Sequence, residues 1–301
     1  MAASYRVEHV TRYTYSTPVV TSQHVAYLRP RELPCQHVRS HAIRVDPMPS
    51  TWTSRTDYFG NVADHVQILR PHTTLTVVSE GVVEVLDRPA LDDLRDAPPW
   101  EEVSAATIWR GGSLPSDVVQ FVNASPYVPA ASGVEALAGA AFQPRRSIVE
   151  AAIDLMHSIH RRFTFDPEAT VVTTPLTRVI EDERGVCQDF AHVAIACFRS
   201  LGLPARYVSG YLLTDPPPGQ PRLVGADASH AWLSFYCPGH GWIDIDPTNN
   251  TLVSERHITV AWGRDYGDVS PLRGVLLGGA EHKLHVGVSV LPDSSPLLSH
   301  E

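Results

Sequence analysis

The 301-residue sequence is poor in several features that would direct it elsewhere. No apolar run approaches the roughly 20 residues that cross a bilayer. The longest, residues 269–280, is interrupted by Pro271 and Arg273. The N-terminus lacks the apolar core of a signal peptide. There are four cysteines (Cys35, Cys187, Cys197 and Cys237), and their spacing forms no disulfide framework. These absences predict a cytoplasmic protein with free thiols and no membrane contact. Basic clusters are also missing. The formal net charge is −9, and Arg145-Arg146 and Arg161-Arg162 are the densest basic pairs, which excludes a nucleic-acid backbone as partner. Cys237-x-x-His240 and His157-x-x-His160 each offer two metal ligands, but no second pair sits at zinc spacing, so no metal is expected. Gly111-Gly112 and Gly278-Gly279 fit no phosphate loop, and no cofactor is expected.

What is present divides in two. Residues 1–87 alternate apolar and polar residues in the two-residue period of half-buried strands, at 5–15, 41–45, 63–69 and 75–86. Pro47, Pro49, Gly60-Asn61 and Pro71 separate them. A proline-rich, acidic stretch at 88–101 reads as a linker. The periodicity then changes. Residues 147–163 place Ile148, Ala152, Leu155, Met156 and Ile159 on one helix face. Thr174-Pro175 opens a short helix to Glu183. Gly185 breaks it, and a second helix runs over 186–201 before Gly202 and Pro204. Strands follow at 205–214, 230–237 and 242–246, with a proline-rich loop at 216–221 and a last strand at 283–291.

The chemistry concentrates on Cys187. A thiol at a helix start gains thiolate character from the helix dipole, provided a base stands nearby. On a helical wheel Val186, Phe190, Val193, Ala194, Cys197, Phe198 and Leu201 form an apolar stripe, with Cys187 toward its edge. The alternative is a small buried apolar residue, which suits Cys197 and Cys35 better. His192 is five residues along the same helix, about 140° around, on a polar flank with Gln188 and Arg199, and is a poor base. His230 is a better one. Strand alternation sets His230, Trp232, Ser234 and Tyr236 opposite the core-facing Ala231, Leu233, Phe235 and Cys237. If residues 237–241 form a hairpin loop, Tyr236 faces Trp242 and Asp246 falls across from Trp232, one pleat step from His230. Asp244 is two residues farther away. This picks Asp246 as the group that orients the histidine.

These residues lie in blocks that resemble the bacterial transglutaminase-like superfamily. The blocks are Gly185-Val186-Cys187-Gln188-Asp189-Phe190, Ser229-His230-Ala231-Trp232 and Trp242 through Asp246-Pro247-Thr248-Asn249-Asn250. Phe163-Thr164-Phe165, Thr174-Pro175-Leu176, the segment at 205–211 and the segment at 260–266 extend the likeness. Leu28-Arg29-Pro30-Arg31 and Asp57-Tyr58-Phe59-Gly60-Asn61 resemble that family's N-terminal β domain. The resemblance implies an α+β protein: a β-sandwich-like domain at 1–87, a linker at 88–101, and a papain-like transglutaminase core at 102–301. It implies Cys187 as nucleophile, His230 as base and Asp246 as orienter, with Trp232, Tyr211 and Gln188 as candidate substrate contacts. Ser234 departs from relatives that often carry an acid there. A peptide or protein amide substrate is implied, hydrolysis being favoured over transfer to an amine, and association with ATP-grasp-like proteins is a further expectation. The rival reading is a non-catalytic protein-binding module on the same fold.

Overall fold

The first of two main sheets is built from both ends of the chain. The computed structural model describes residues 2–88, 90–107, 114–214 and 229–293. Strand β1 (Ala3–Ala26) is 24 residues long and pairs along both halves of its length within one seven-stranded sheet. Its Tyr5–Tyr15 half lies between β5 (His72–Val85) and β14 (His282–Pro292). Its Val19–Ala26 half lies between β4 (Val62–Ile68) and β13 (Leu272–Gly278). The ladder shifts register between Thr14 and Val19, where Pro18 has no N–H to contribute. The outer strands are β2 (Gln36–Asp46) on β5 and β3 (Thr51–Thr56) on β4. Tyr15, Val19, Leu28, Ile68, Leu75 and Val77 form the module's own core.

Four expected strands of this module are present, and the expected strand at 283–291 is present as β14. That last strand pairs with β1, so the C-terminal segment assigned to the second domain completes the first. The linker is also not a spacer. Leu94 and Ala97 are buried, and Arg88 donates to Asp244 Oδ2 (2.5 Å) and Thr259 Oγ1 (3.3 Å). The loop at 216–221 and Gly111-Gly112 lie outside the described residues.

Around the second sheet run α1 (Trp100–Ala106), α2 (Ser116–Val119), α3 (Val134–Ala141) and α4 (Ile148–Arg162). The pair β6 (Thr164–Phe165) and β7 (Arg184–Gly185) flanks α5 (Leu176–Asp182), and α6 (Cys187–Ser200) follows. The Ser147 side chain caps α4 by accepting from Val149 N–H at 3.3 Å. All five apolar residues expected on the inner face of α4 are buried. The sheet itself contains β8 (Ala205–Leu212), β9 (Ser229–Cys237), β10 (Gly241–Asp246), β11 (Thr251–Leu252) and β12 (His257–Gly263), in the antiparallel order β11-β10-β9-β8-β12. A short α7 (Tyr266–Val269) leads back to β13. The expected α+β class is observed. Among the described residues no helix is long and apolar enough to cross a membrane.

Helix α6 departs from its expected one-stripe burial. Asp189, His192, Ile195, Ala196 and Arg199 are buried too, because residues 121–134 and Tyr266 wrap its other side. Arg199 donates to the carbonyls of Phe121 (2.9 Å) and Arg264 (2.6 Å) and to Ser125 Oγ (3.1 Å). The flank read as polar is therefore an internal hydrogen-bonded layer.

The first module seals the free edge of β12 with side-chain amides. Thr259 N–H donates to Gln36 Oε1 (2.7 Å), and Gln36 Nε2 donates back to Thr259 O (2.8 Å). Asn61 makes the same pair of bonds with Trp262, at 3.0 and 2.8 Å. Each amide does what a neighbouring strand would do. Arg31 holds Asn61 Oδ1 (2.5 Å) and lies 3.5 Å over the Trp262 ring; Arg206 stacks between Trp262 and Trp242. Gln36→Ala would leave a buried N–H unpaired and is expected to cost about 3 kcal/mol. Urea unfolding checks this, and an unchanged midpoint would mean that the edge needs no seal.

Candidate active site

The start of α6 is fixed before Cys187 is reached. β7 pairs with β6, placing Gly185 beside Phe165. A Cβ on Gly185 would fall 2.5 Å from Asp189 Oδ2, so only glycine lets that carboxylate fold back. Asp189 Oδ2 accepts from Val186 N–H (2.9 Å) and from Thr170 Oγ1 (2.6 Å). Burial raises the Asp189 pKa and these two bonds oppose the rise. The clamp sets Cys187 at the first helical position, half-buried, where the leading N–H groups of a helix have no acceptor within it.

The β9–β10 hairpin supplies the next two residues. Its register pairs Trp242 with Tyr236 and Ile245 with Leu233, as the loop length predicts. Asp246, one residue farther, is fully buried at the end of β10. Its Oδ2 lies 2.7 Å from His230 Nε2, leaving His230 Nδ1 as the ring nitrogen for the sulfur. Burial alone would lower the His230 pKa. Hydrogen bonds to Asp246 and Cys187, with their charges, outweigh it and raise the value to about 10. His230 is therefore an imidazolium at neutral pH.

Asp246 is held from every side. Oδ1 accepts from the Thr248 and Asn249 N–H groups at 3.0 and 3.2 Å. Oδ2 accepts from Asn249 Nδ2 (2.7 Å) and His257 Nε2 (3.2 Å) as well as from His230. Burial would raise its pKa, but the donors, His230 foremost, hold it well below the usual carboxylate range. Neither Asn249 nor His257 carries a local signal in the sequence that marks it as a partner of Asp246. Ile258 and Val260 alternate as in a strand, but nothing in the chain shows that this strand ends beside Asp246. His230, Asp246 and His257 have donor atoms within 4.8 Å of one another, a set that could hold a metal ion, and the N–H···O bonds among them account for its geometry.

Other expectations separate cleanly. Asp244 does not reach His230, since its carboxylate takes Arg88 and Ser234 Oγ. His192 is buried, stacked on Tyr127, and accepts from Tyr266 N–H at 3.2 Å; burial lowers its pKa to about 3. His240 pairs with Asp96. Two candidate substrate contacts are corrected. Trp232 is wholly buried with Val208 and Val253, and Tyr211 is buried with its hydroxyl 3.0 Å from His9 Nδ1. Neither meets solvent, because the first module and the Trp262 side of β12 close over them. Gln188 stays half-buried beside Cys187.

Comparison with known proteins agrees with this architecture. Residues 5–84 match the model of the bacterial transglutaminase-like N-terminal region, and residues 135–247 match that of the transglutaminase-like superfamily. The chain is 39% identical over 301 residues to the uncharacterized protein Rv2569c of Mycobacterium tuberculosis, covering 96% of this chain and 92% of that one. It is 35% identical over 290 residues to the uncharacterized protein ML0607 of Mycobacterium leprae, covering 95% and 97%. A solved structure from Cytophaga hutchinsonii, described as a “putative cysteine protease”, shares the fold with a TM-score of 0.75 at 19% identity, over 100% of this chain and 95% of that one. The chain belongs to the transglutaminase-like superfamily, with the bacterial N-terminal region attached.

Proposed function

We propose that the protein is a cysteine-dependent acyl-transfer enzyme that cleaves peptide or amide bonds through a thioacyl intermediate. The observation that carries this reading is His230, bonded through Nε2 to a buried carboxylate and coupled to a cysteine at a helix start. The Cys187 thiol proton already resides on His230, and the thiolate of that ion pair attacks the substrate carbonyl carbon. The resulting oxyanion meets the Cys187 backbone N–H at the helix N-terminus. Collapse breaks the C–N bond, and the imidazolium gives its proton to the departing amine. In the second half-reaction water loses a proton to His230, attacks the thioester and frees the acid and the thiol. Asp246 keeps the ring in one orientation and balances its charge throughout.

Water is favoured as acceptor because nothing in the sequence reads as a dedicated amine site. Amine transfer is the second reading. It is supported by 30% identity over 102 residues to a protein-glutamine gamma-glutamyltransferase of Pseudomonas aeruginosa, a match spanning 31% of this chain and 15% of that one. A screen of peptide and isopeptide substrates, with and without excess primary amine, separates the two by product mass. Cys187→Ala should abolish both.

Reactivity gives an earlier test that needs no substrate. With iodoacetamide at neutral pH, Cys187 should alkylate at least ten-fold faster than the other cysteines in the folded protein. Burial pushes the Cys197 thiol up to about 12 and the Cys237 thiol up to about 11, which keeps both inert. After unfolding all four should react alike. Uniformly slow labelling of the folded chain would favour a binding module over an enzyme.

A further inference from the structure

We infer that His257 is a positioning residue, a permanently neutral second histidine that aims Asp246 at His230. The inference rests on the proposed role of His230 and Asp246 and goes beyond it. His257 begins β12 and is 2% exposed. Its Nδ1 accepts from Ser254 N–H at 3.3 Å, so in the neutral ring the proton resides on Nε2. That Nε2–H points at Asp246 Oδ2, 3.2 Å away. One carboxylate oxygen thus receives two imidazole N–H groups, His230 and His257, with ring centroids 6.2 Å apart.

The two rings differ in charge because their surroundings differ. His230 can share charge with both Asp246 and Cys187. His257 has burial against it first, with His230 and Arg88 also opposing a second positive charge, and only Asp246 in favour; its pKa is lowered. A cation there would compete with His230 for the carboxylate, so a neutral donor is what the arrangement needs. The ring is also locked. Trp232 meets it edge-on at 5.3 Å and 80°. Trp232 is seated by Gly210, where a Cβ would fall 2.5 Å from the indole, and Gly210 is the β8 partner of His230. Gly210, Trp232, His257 and Asp246 form a chain of contacts that ends on the His230 ring.

Two variants separate donation from space-filling. His257→Phe keeps a ring without a donor, and His257→Gln places an amide N–H near the position of Nε2. The readout is the rate of Cys187 alkylation against pH. Its upper inflection reports loss of the His230 proton. An Asp246 that has lost one donor holds the imidazolium more tightly, so His257→Phe should move that inflection upward by about one pH unit. His257→Gln should leave it within about 0.3 unit of the parent. Coincident profiles for His257→Phe and the parent, or equal shifts in both variants, overturn the inference. If His257→Phe fails to fold, imidazole ¹⁵N spectra of the unmodified protein still decide it. Nε2–H with bare Nδ1 on His257 at pH 7 is the expected result, and the opposite tautomer defeats it. Unselective Cys187 labelling in the unmodified protein would instead sink the thiol-nucleophile reading, while the His257 tautomer remains separately measurable.

Discussion

Asp246→Asn should lower turnover about 10⁴-fold on any amide the parent cleaves. Oδ1 of this side chain already takes two backbone N–H groups, so the new amide nitrogen must stand at Oδ2. There it faces three donors: His230, His257 and Asn249. His230 can relieve the conflict only by giving up its Nε2 proton and keeping the one on Nδ1, the nitrogen left for the sulfur, and the neutral ring can then neither pair with the thiolate nor take the thiol proton. His257 cannot switch in the same way, because Ser254 N–H occupies its Nδ1. The conflicts with His257 and the Asn249 amide therefore remain, and stability should fall by about 1–3 kcal/mol. Asp244→Asn should give the reverse profile. Its carboxylate accepts from Arg88 and Ser234 and is the opposing charge to buried Arg206. Unfolding temperature should drop while turnover stays near that of the parent. Measuring both quantities on both variants decides it; a larger loss of turnover in Asp244→Asn would refute the assignment of Asp246.

What could be read in the sequence follows from how local each cause is. The choice of Asp246 over Asp244 needs only the loop at 237–241 and a two-residue period, and the observed register agrees. The start of α4 is likewise visible, because Ser147 caps it two residues away. Alternation in β9 correctly groups Trp232 with His230, yet it cannot say what covers that face. Gln36 and Asn61, some 200 residues distant, help close it, and Trp232 and Tyr211 are lost as substrate contacts for that reason. β14 shows the same limit. Its pattern predicts a strand, while its partner is β1 at the other end of the chain. His257 lies beyond reach because its value arises from a contact between the ends of β10 and β12, strands with β9 and β8 between them in the sheet.

Acid should unfold this protein well above the pH at which its carboxylates titrate. His9, His24 and His192 are each buried. Burial lowers His9 and His24 to about 4 and His192 to about 3. A histidine in the unfolded chain takes its proton near pH 6.5, so between there and pH 4 the unfolded state binds more protons. Stability is therefore full above pH 6.5 and falls as pH drops toward 4. Each site contributes a loss on the order of 3 kcal/mol, and three together rival the whole stability of a typical domain. Asp246 works in the same direction only lower down, because its depressed pKa withholds its penalty until the pH is below about 4. His230 works oppositely: raised to about 10, it stabilises fully below pH 6.5 and loses that contribution as pH climbs toward 10. Stability should thus peak near neutrality. His9 offers the cleanest check, since it sits away from Cys187, against Tyr211 and Thr11. Gln in its place cannot titrate, so between pH 7 and pH 5 His9→Gln should lose about 2 kcal/mol less than the parent does. Urea titrations at the two pH values measure that difference, and a parent whose stability is flat from pH 7 to pH 4.5 would contradict the burial of these rings.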